Sequence, residues 1–383
     1  MQLELSGAQQ TIVESTRRLA ATTLAPTTAA RARAHEIPRE VMLAIARAGL
    51  IGVNLDKKWG GAQAGVVAYA AAVRELAYAD PAVAVTMAVT NMVAEVIAAF
   101  GSEEQKISYL PKLARGDFFA GAFALSEPGA GSDAASLTTR AVPDRDGFVL
   151  SGEKLWISHG DQSDVVIVWA RTGGPGAKGI TCFIVEKGAQ GLSAGKPEEK
   201  MGIVASHTVP LSLDQVRVPK AARLGAEGDG FKLAMVALDG GRIGVAAQAL
   251  GIGCRALDLA KARLQALERA GAGAGAGQAA QFALADMAVE LDAAWLLVLR
   301  AAWLKERKRP FSREAAMAKV FASEAANRAV RAAIDLCGTG ALVGDSEASR
   351  LLRDCRVTQI YEGTSEVQRL VIARDVLRQG VLS

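Results

Sequence analysis

Histidine is scarce in this chain of 383 residues: His35, His159 and His207 are the only three. Cysteine is nearly as rare, and Cys182, Cys254, Cys337 and Cys355 form no CxxC pair, so no metal site is expected from clustered Cys and His ligands. Four scattered thiols fit a reducing, cytoplasmic setting. With so few imidazoles, acid–base chemistry is expected from carboxylates or from a cofactor. A dominant charge is also missing. The 44 Lys+Arg against 40 Asp+Glu leave +4, too little to argue for nucleic acid or an anionic membrane as partner. No run of about 18 uncharged apolar residues stands out, which predicts no membrane span. Residues 1–10 lack a basic cluster ahead of an apolar core, so they do not read as a secretory signal.

Half of the residues are apolar, and the length suits two or three globular domains. Apolar residues recur at three- and four-residue steps through the first 116 residues, as in Val41–Ile45–Ala48 and Val73–Leu76–Ala77, which predicts helices. Ser102 followed by Gln105 is a capping-box signature for a new helix. From residue 120 to 228 the pattern changes to β-rich runs, FVLSG, VVIVWAR, ITCFIVEK and VPLSLDQVRVP, separated by Gly, Pro and Asp turns. Long helical patterns then return. Strands and helices are segregated instead of alternating, which argues against a parallel α/β sheet. The expectation is an α+β multidomain chain: an N-terminal helical domain (1–119), a middle antiparallel β-barrel-like domain (120–228) and a C-terminal four-helix-bundle domain (229–383). The AGAGAGAG stretch at 270–277 breaks helices and predicts a loop between two of them.

Four segments have the makings of a site. LSEPGAGSD (125–133) is glycine-rich, with Ser126 and Ser132 hydroxyls suited to a phosphate or a flavin edge. Its glycines match a dinucleotide fingerprint only formally, because too few residues separate it from the next strand for a βαβ unit. Taken alone, it reads as a turn. KLWISHG (154–160) sets Trp156 beside Ser158, a flat wall next to a hydroxyl, or simply a core tryptophan. IYEGTSEVQR (360–369) places Glu362 on a turn before a helix predicted to start near Ser365, which has capping-box spacing to Gln368. Burial there would raise the glutamate pKa; the bland alternative is a solvated glutamate near a helix N-terminus. LDGGRIGVAAQALGIG (238–253) sets Gly240 and Gly241 for close approach of another backbone or a ligand, or simply for tight helix packing, and Asp239 with Arg242 reads as a pair.

In this order the four segments resemble motifs of the acyl-CoA dehydrogenase family over essentially the whole chain. The resemblance implies a homotetramer, or homodimer, holding FAD and acyl-CoA between the middle and last domains, with electron-transfer flavoprotein as electron acceptor. It implies flavin contacts from Phe123, Leu125, Ser126, Gly131, Ser132, Trp156, Ile157, Ser158, Thr364, Ser365 and Glu366, with Gln278 and Gly338 contributed across a subunit boundary. Acyl-CoA contacts fall on Ser132, Asp239, Arg242 and Gly363. Glu362 matches the catalytic base; the alternative family position, one residue before the arginine, is Gly241, which cannot take a proton. The implied reaction is α,β-dehydrogenation to a trans-2-enoyl thioester, with Glu362 removing the α-proton and flavin N5 accepting the β-hydride. Hydrogen bonds from a flavin hydroxyl and the Glu362 N–H would stabilise the thioester oxygen. Residues 80–97 resemble short- or branched-chain members.

The chain departs from the family where a neighbouring subunit contacts the adenine end of FAD. Leu267 and Ala270 replace an arginine and a phenylalanine, and Ile334 and Cys337 replace a glutamine and a glycine. These changes predict altered or weaker contacts there. A non-catalytic binding or structural paralogue is the competing reading from another class; an oxygen-using oxidase is disfavoured by length. The basic run KERKRP (305–310) reads as a solvated helix end, so no nucleic acid is expected.

Overall fold

The computed structural model describes residues 4–270 and 277–379. The chain begins with helices α1 (Gly7–Leu19), α2 (Thr28–Ala34), α3 (Arg39–Arg47), α4 (Val66–Ala79), α5 (Pro81–Phe100) and α6 (Glu103–Arg115). Their starts follow local chemistry. Asp80 caps α5 by accepting from the Ala82 and Val83 N–H groups at 3.0 and 3.1 Å, and Pro81 sits where a missing N–H costs nothing. The expected Ser102–Gln105 capping box opens α6 with both reciprocal bonds.

Strands β1 (Gly121–Ala124), β2 (Arg140–Asp144), β3 (Gly147–Ser158), β4 (Val165–Arg171), β5 (Ile180–Glu186), β6 (Leu192–Ala194), β7 (Thr208–Pro219) and β8 (Arg223–Leu224) form one sheet in the order β6-β7-β3-β2-β4-β5-β8, with β1 beside β4. The sheet is not wholly antiparallel as expected: β1 runs parallel to β4, and Arg140 meets Arg171 in parallel register. The β2–β3 hairpin lies between β1 and β4 in sequence and supplies the long connection that a parallel pair needs. Inward residues of β1 to β5 and β7, among them Phe148, Leu150, Val168, Phe183 and Val216, share one buried cluster, so the sheet wraps around a core of its own. The opposite faces of β4 and β5 join the larger helical core. There the Trp169 indole donates to Gly230 O at 2.7 Å and ties the sheet to the next helix.

That helix is α7 (Gly230–Arg269), followed by α8 (Gln278–Glu306), α9 (Ser312–Cys337), α10 (Glu347–Arg356) and α11 (Ser365–Gln379). The predicted break at 270–277 lies mostly outside the described residues; the flanking helices end at Arg269 and resume at Gln278. The absence of a long uncharged apolar run holds, but a looser test that admits one or two charges is met. Two helices, Pro81–Phe100 and Gly230–Arg269, are long and apolar enough to cross a membrane, but 67% and 72% of their most apolar windows are buried within the fold. Their hydrophobicity is used in the core: α7 is the central helix, packed against α4, α5, α8 and α9.

Two buried polar links hold the sheet in place. His159, just after β3, is wholly buried, with Nε2 2.7 Å from Thr86 Oγ1 of α5 and 3.0 Å from Ser206 Oγ, and Nδ1 2.8 Å from Gln162 Oε1. Lys154, also buried, reaches Glu127 Oε1 at 2.8 Å and Leu125 O at 3.1 Å, while Glu127 accepts from Thr138 N, Thr138 Oγ1 and Thr139 N at 2.6, 2.8 and 3.0 Å. This pair binds the 125–133 loop to β3, helped by Leu155 N–H donating to Ser126 O at 2.9 Å. Burial pushes Lys154 down to about 8 against the attraction of Glu127; burial would raise Glu127, but Lys154 and the donors around it hold that carboxylate at about 2.

Burial also pushes the His159 imidazole down to about 4, below its usual value near 6.5. The unfolded chain therefore binds the extra proton first, and stability present above pH ~6.5 should be lost as pH falls toward 4. Melting temperatures across that window should fall less steeply for His159→Gln than for the wild type. Lys154→Met should leave Glu127 buried without its counterion and cost about 3–5 kcal/mol in chemical denaturation.

Candidate active site

The centre of the site is a bare patch on α7. A Cβ added to Gly241 would lie 1.9 Å from Glu362 Oε2, and one added to Gly240 would lie 2.6 Å from Lys305 Nζ. The missing side chains therefore make room for a carboxylate and an ammonium. Both glycines lie inside the helix, where glycine is costly, so the space is the reason to keep them. Lys305 is neutralised by Glu95 Oε2 at 2.6 Å, and Asn54 Nδ2 donates to Glu95 Oε1 at 2.6 Å. The expected Asp239–Arg242 pair is present, with Ser312 Oγ donating to Asp239 Oδ1 at 3.0 Å. Arg242 is buried and its Nε has no partner. Burial raises the Asp239 carboxyl above its ordinary range, against the attraction of Arg242.

Glu362 enters this space from the turn before α11. Its φ is +53° and that of Gly363 is +93°, so two consecutive left-handed residues swing the chain, the first of them at a steric cost. Lys319 Nζ donates to Gly363 O at 2.8 Å, and Gln368 Nε2 donates to Glu362 O at 3.2 Å and Gly363 O at 2.9 Å. The predicted Ser365–Gln368 capping box does not form. Thr364 is the cap, its Oγ1 accepting from Val367 N at 3.3 Å, because the left-handed turn sets the frame one residue earlier and draws Gln368 to the carbonyls. The Ser365 hydroxyl is buried without a partner.

Glu362 Oε2 is buried and likewise has no hydrogen-bond partner. Burial pushes this carboxyl up to about 7, and the cations Lys319, Arg242 and Lys305 limit the rise. Desolvation lowers Lys319 to about 8, opposed chiefly by Glu362. A carboxylate poised near neutrality, aimed into a space with no donor, is suited to take a proton from a bound ligand.

A second candidate surface is formed by β3 and the 125–133 loop. Between Lys154 and Ile157 the β3–β7 register shifts, and Trp156 on this bulge has φ +63° and is 59% exposed. A strained backbone that holds an indole outward is the opposite of a core tryptophan. Ser158 ends the strand, part-buried. The Ile157 side chain points into the core of the sheet, which leaves its backbone as the part that could meet a ligand. Phe123 packs against Trp169 with ring centres 4.2 Å apart and planes tilted by 44°, Leu125 is buried, and Ser126 is part-buried. Gly131 and Ser132 are exposed, and a Cβ on Gly129 or Gly131 would meet nothing within 4 Å. No packing within the chain demands those glycines, which leaves an open backbone cradle.

Thr364, Ser365 and Glu366 lie beside Glu362 at the start of α11. A single chain does not bring Gln278, Gly338, Leu267, Ala270, Ile334 or Cys337 to that turn. Along α7, Leu267 is about 39 Å from Gly241; Gln278 opens α8 about 40 Å from Lys305, and Gly338 ends α9 about 28 Å from Lys319. Ile334 packs with Ala341 and Ala348 in a small separate cluster, with Cys337 against it. Sequence reasoning missed Lys319, Lys305, Glu95 and Tyr69. Lys319 had a signal, a lone charge among Ala315, Ala316, Ala318 and Ala322 on a helix; the others depend on contacts between distant segments.

Family models match three consecutive parts of the chain: acyl-CoA dehydrogenase N-terminal domain at residues 6–117, middle domain at 122–216 and C-terminal domain at 228–377. The mitochondrial short-chain specific acyl-CoA dehydrogenase of Bos taurus is 42% identical over 378 residues, covering 98% of this chain and 92% of that protein. The butyryl-CoA dehydrogenase structure from Megasphaera elsdenii superposes with a TM-score of 0.96 at 39% identity, covering 99% and 100% of the two chains. A chain of a structure described as the electron transferring flavoprotein of Acidaminococcus fermentans also gives 0.96, at 41% identity and the same coverage. By its three domains and by identity along nearly its whole length, the chain belongs to the acyl-CoA dehydrogenase family.

Proposed function

We propose that this protein is an FAD-dependent acyl-CoA dehydrogenase that converts a short acyl-CoA to its trans-2-enoyl thioester, with Glu362 removing the α-proton. The observation that carries the assignment is the Glu362 Oε2 atom, buried, unpartnered and placed in the gap left by Gly241. The residues present fit the cofactor: an exposed indole on a strained bulge, an open glycine cradle and the Ser126, Ser132 and Ser158 hydroxyls make a wall for a flavin and its phosphates. Thr364, Ser365 and Glu366 extend this wall from α11, and Gln278 and Gly338 are assigned to the site of a neighbouring subunit. Bound FAD supplies the two-electron acceptor for the β-hydride. Asp239, Arg242, Ser132 and Gly363 are assigned to the CoA thioester. The Glu362 N–H stabilises charge on the thioester oxygen while its carboxylate takes the α-proton.

A non-catalytic binding role is disfavoured because a buried glutamate without a partner lowers stability and gives no structural return. We assign the domain limits 1–119, 120–228 and 229–383. Electron-transfer flavoprotein is the proposed electron acceptor, supported by the neighbour described with that name. Four free cysteines support a cytoplasmic location. A homotetramer is supported by Phe282, Val289 and Leu296, exposed apolar residues at seven-residue steps along α8. Light scattering should give four chains per particle, and Val289→Asp should lower that number.

The purified protein should show a flavin absorption band that short acyl-CoAs bleach. Glu362→Gln should still bind acyl-CoA and slow bleaching by at least about 100-fold; bleaching at the wild-type rate would remove Glu362 from its role. The kcat/KM of the wild type should rise with pH through about 7, as Glu362 loses its proton. The same raised pKa means that ionisation opposes folding. Glu362→Gln should therefore melt above the wild type at pH 8, with the gap closing toward pH ~4.5.

A further inference from the structure

Tyr69 of α4 is a large side chain in the main helical core, and its polar end faces α7. It is 4% exposed, and a Cβ on Gly244 would lie 2.6 Å from its hydroxyl. The hydroxyl end of the ring therefore lies directly against the α7 backbone, in the space that a side chain at position 244 would take. Burial raises its pKa well above the usual tyrosine value, and the carboxylates of Glu95 and Glu362 reinforce this, which sets the phenol close to the catalytic turn.

Positions 241, 244 and 248 of α7 share one face. Glu362 occupies the gap at Gly241, Tyr69 the gap at Gly244, and Tyr361 hydrogen-bonds Gln248 one turn further on. The charged groups Asp239, Arg242 and Lys305 gather at the other end, around Gly240. The polar thioester and its CoA portion match that charged end, so an acyl tail passing Glu362 runs along bare helix toward Gly244. The next residues on α7, Val245, Ala246 and Ala247, are buried and apolar. Only about 4.5 Å of helix axis separates Gly241 from Gly244, and there the tail meets the phenol. We infer, on the dehydrogenase reading above, that Tyr69 closes the acyl end of the site and is the residue that restricts this enzyme to short acyl groups. A longer chain would have to displace a ring fixed between two helices. Gly244 completes the device, since any side chain there would collide with the phenol and push it from its seat.

The test compares FAD-loaded wild type, Tyr69→Phe, Tyr69→Leu and Tyr69→Ala by flavin bleaching with butyryl-, hexanoyl- and octanoyl-CoA. Each further methylene that finds an apolar site favours binding by about fourfold. Tyr69→Ala should raise the octanoyl-to-butyryl ratio of kcat/KM by at least about tenfold, Tyr69→Leu by less, and Tyr69→Phe should leave it within about twofold because the ring still blocks the path. Tyr69→Leu keeps a large apolar side chain in the core and still reads the effect if the alanine variant does not fold. An unchanged ratio in Tyr69→Ala or Tyr69→Leu that still bleaches with butyryl-CoA would overturn the assignment. Wild-type flavin that no acyl-CoA bleaches would overturn the dehydrogenase reading itself, and the role of Tyr69 with it.

Discussion

Glu362 and any side chain at position 241 exclude each other. A Cβ 1.9 Å from a carboxylate oxygen is far inside contact distance, so the glycine and the glutamate form one feature made from residues 121 apart in sequence. Much of the site follows from that exclusion. The helix that offers the gap must be buried and straight enough to bring its backbone to the turn, which α7 achieves by packing small residues against the helices around it. The turn must hold its glutamate in a left-handed conformation. Lys319 and Gln368 fix it there through the carbonyls of residues 362 and 363.

The exposed Trp156 is held by a different means. An indole held outward would be unstable on a free loop, but β3 carries it on a bulge and anchors both sides. Lys154 and Glu127 lie beneath the bulge and His159 just beyond it, all buried and all hydrogen-bonded. Such groups contribute little net stability once desolvation is counted, but their bonding geometry leaves few alternatives to the native arrangement. Rigidity at the wall is thus obtained from polar groups that a purely hydrophobic packing could replace only with a loss of direction.

Much of this was legible in the sequence wherever chemistry is local. The Ser102 cap, the helical–β–helical order and the glutamate on the turn before α11 depend on neighbours within a few residues. Readings failed where a distant partner decided the outcome. Ser365 had the spacing of a cap, but two left-handed residues and Lys319 shifted the frame to Thr364. The parallel β1–β4 pair joins residues about 44 apart and leaves no mark on either strand's pattern. Tyr69 was invisible for the same reason, as one of two tyrosines in an alanine-rich helix.

The charge balance gains meaning at this scale. A net charge of +4 over 383 residues says nothing of the site, yet three of the cations that surround Glu362 come from three helices: Arg242 on α7, Lys305 on α8 and Lys319 on α9. Each is itself restrained. Arg242 is paired with Asp239 and Lys305 with Glu95, while Lys319 is bound to a carbonyl and has its own pKa lowered by burial. Unpaired, they would hold Glu362 ionised but make it a weak base, because what stabilises the carboxylate also reduces its pull on a proton. Without them, burial alone would keep the carboxyl protonated at neutral pH and unable to accept anything. The paired cations place Glu362 between those limits, at about 7, where a useful fraction is ionised and the proton affinity is still high.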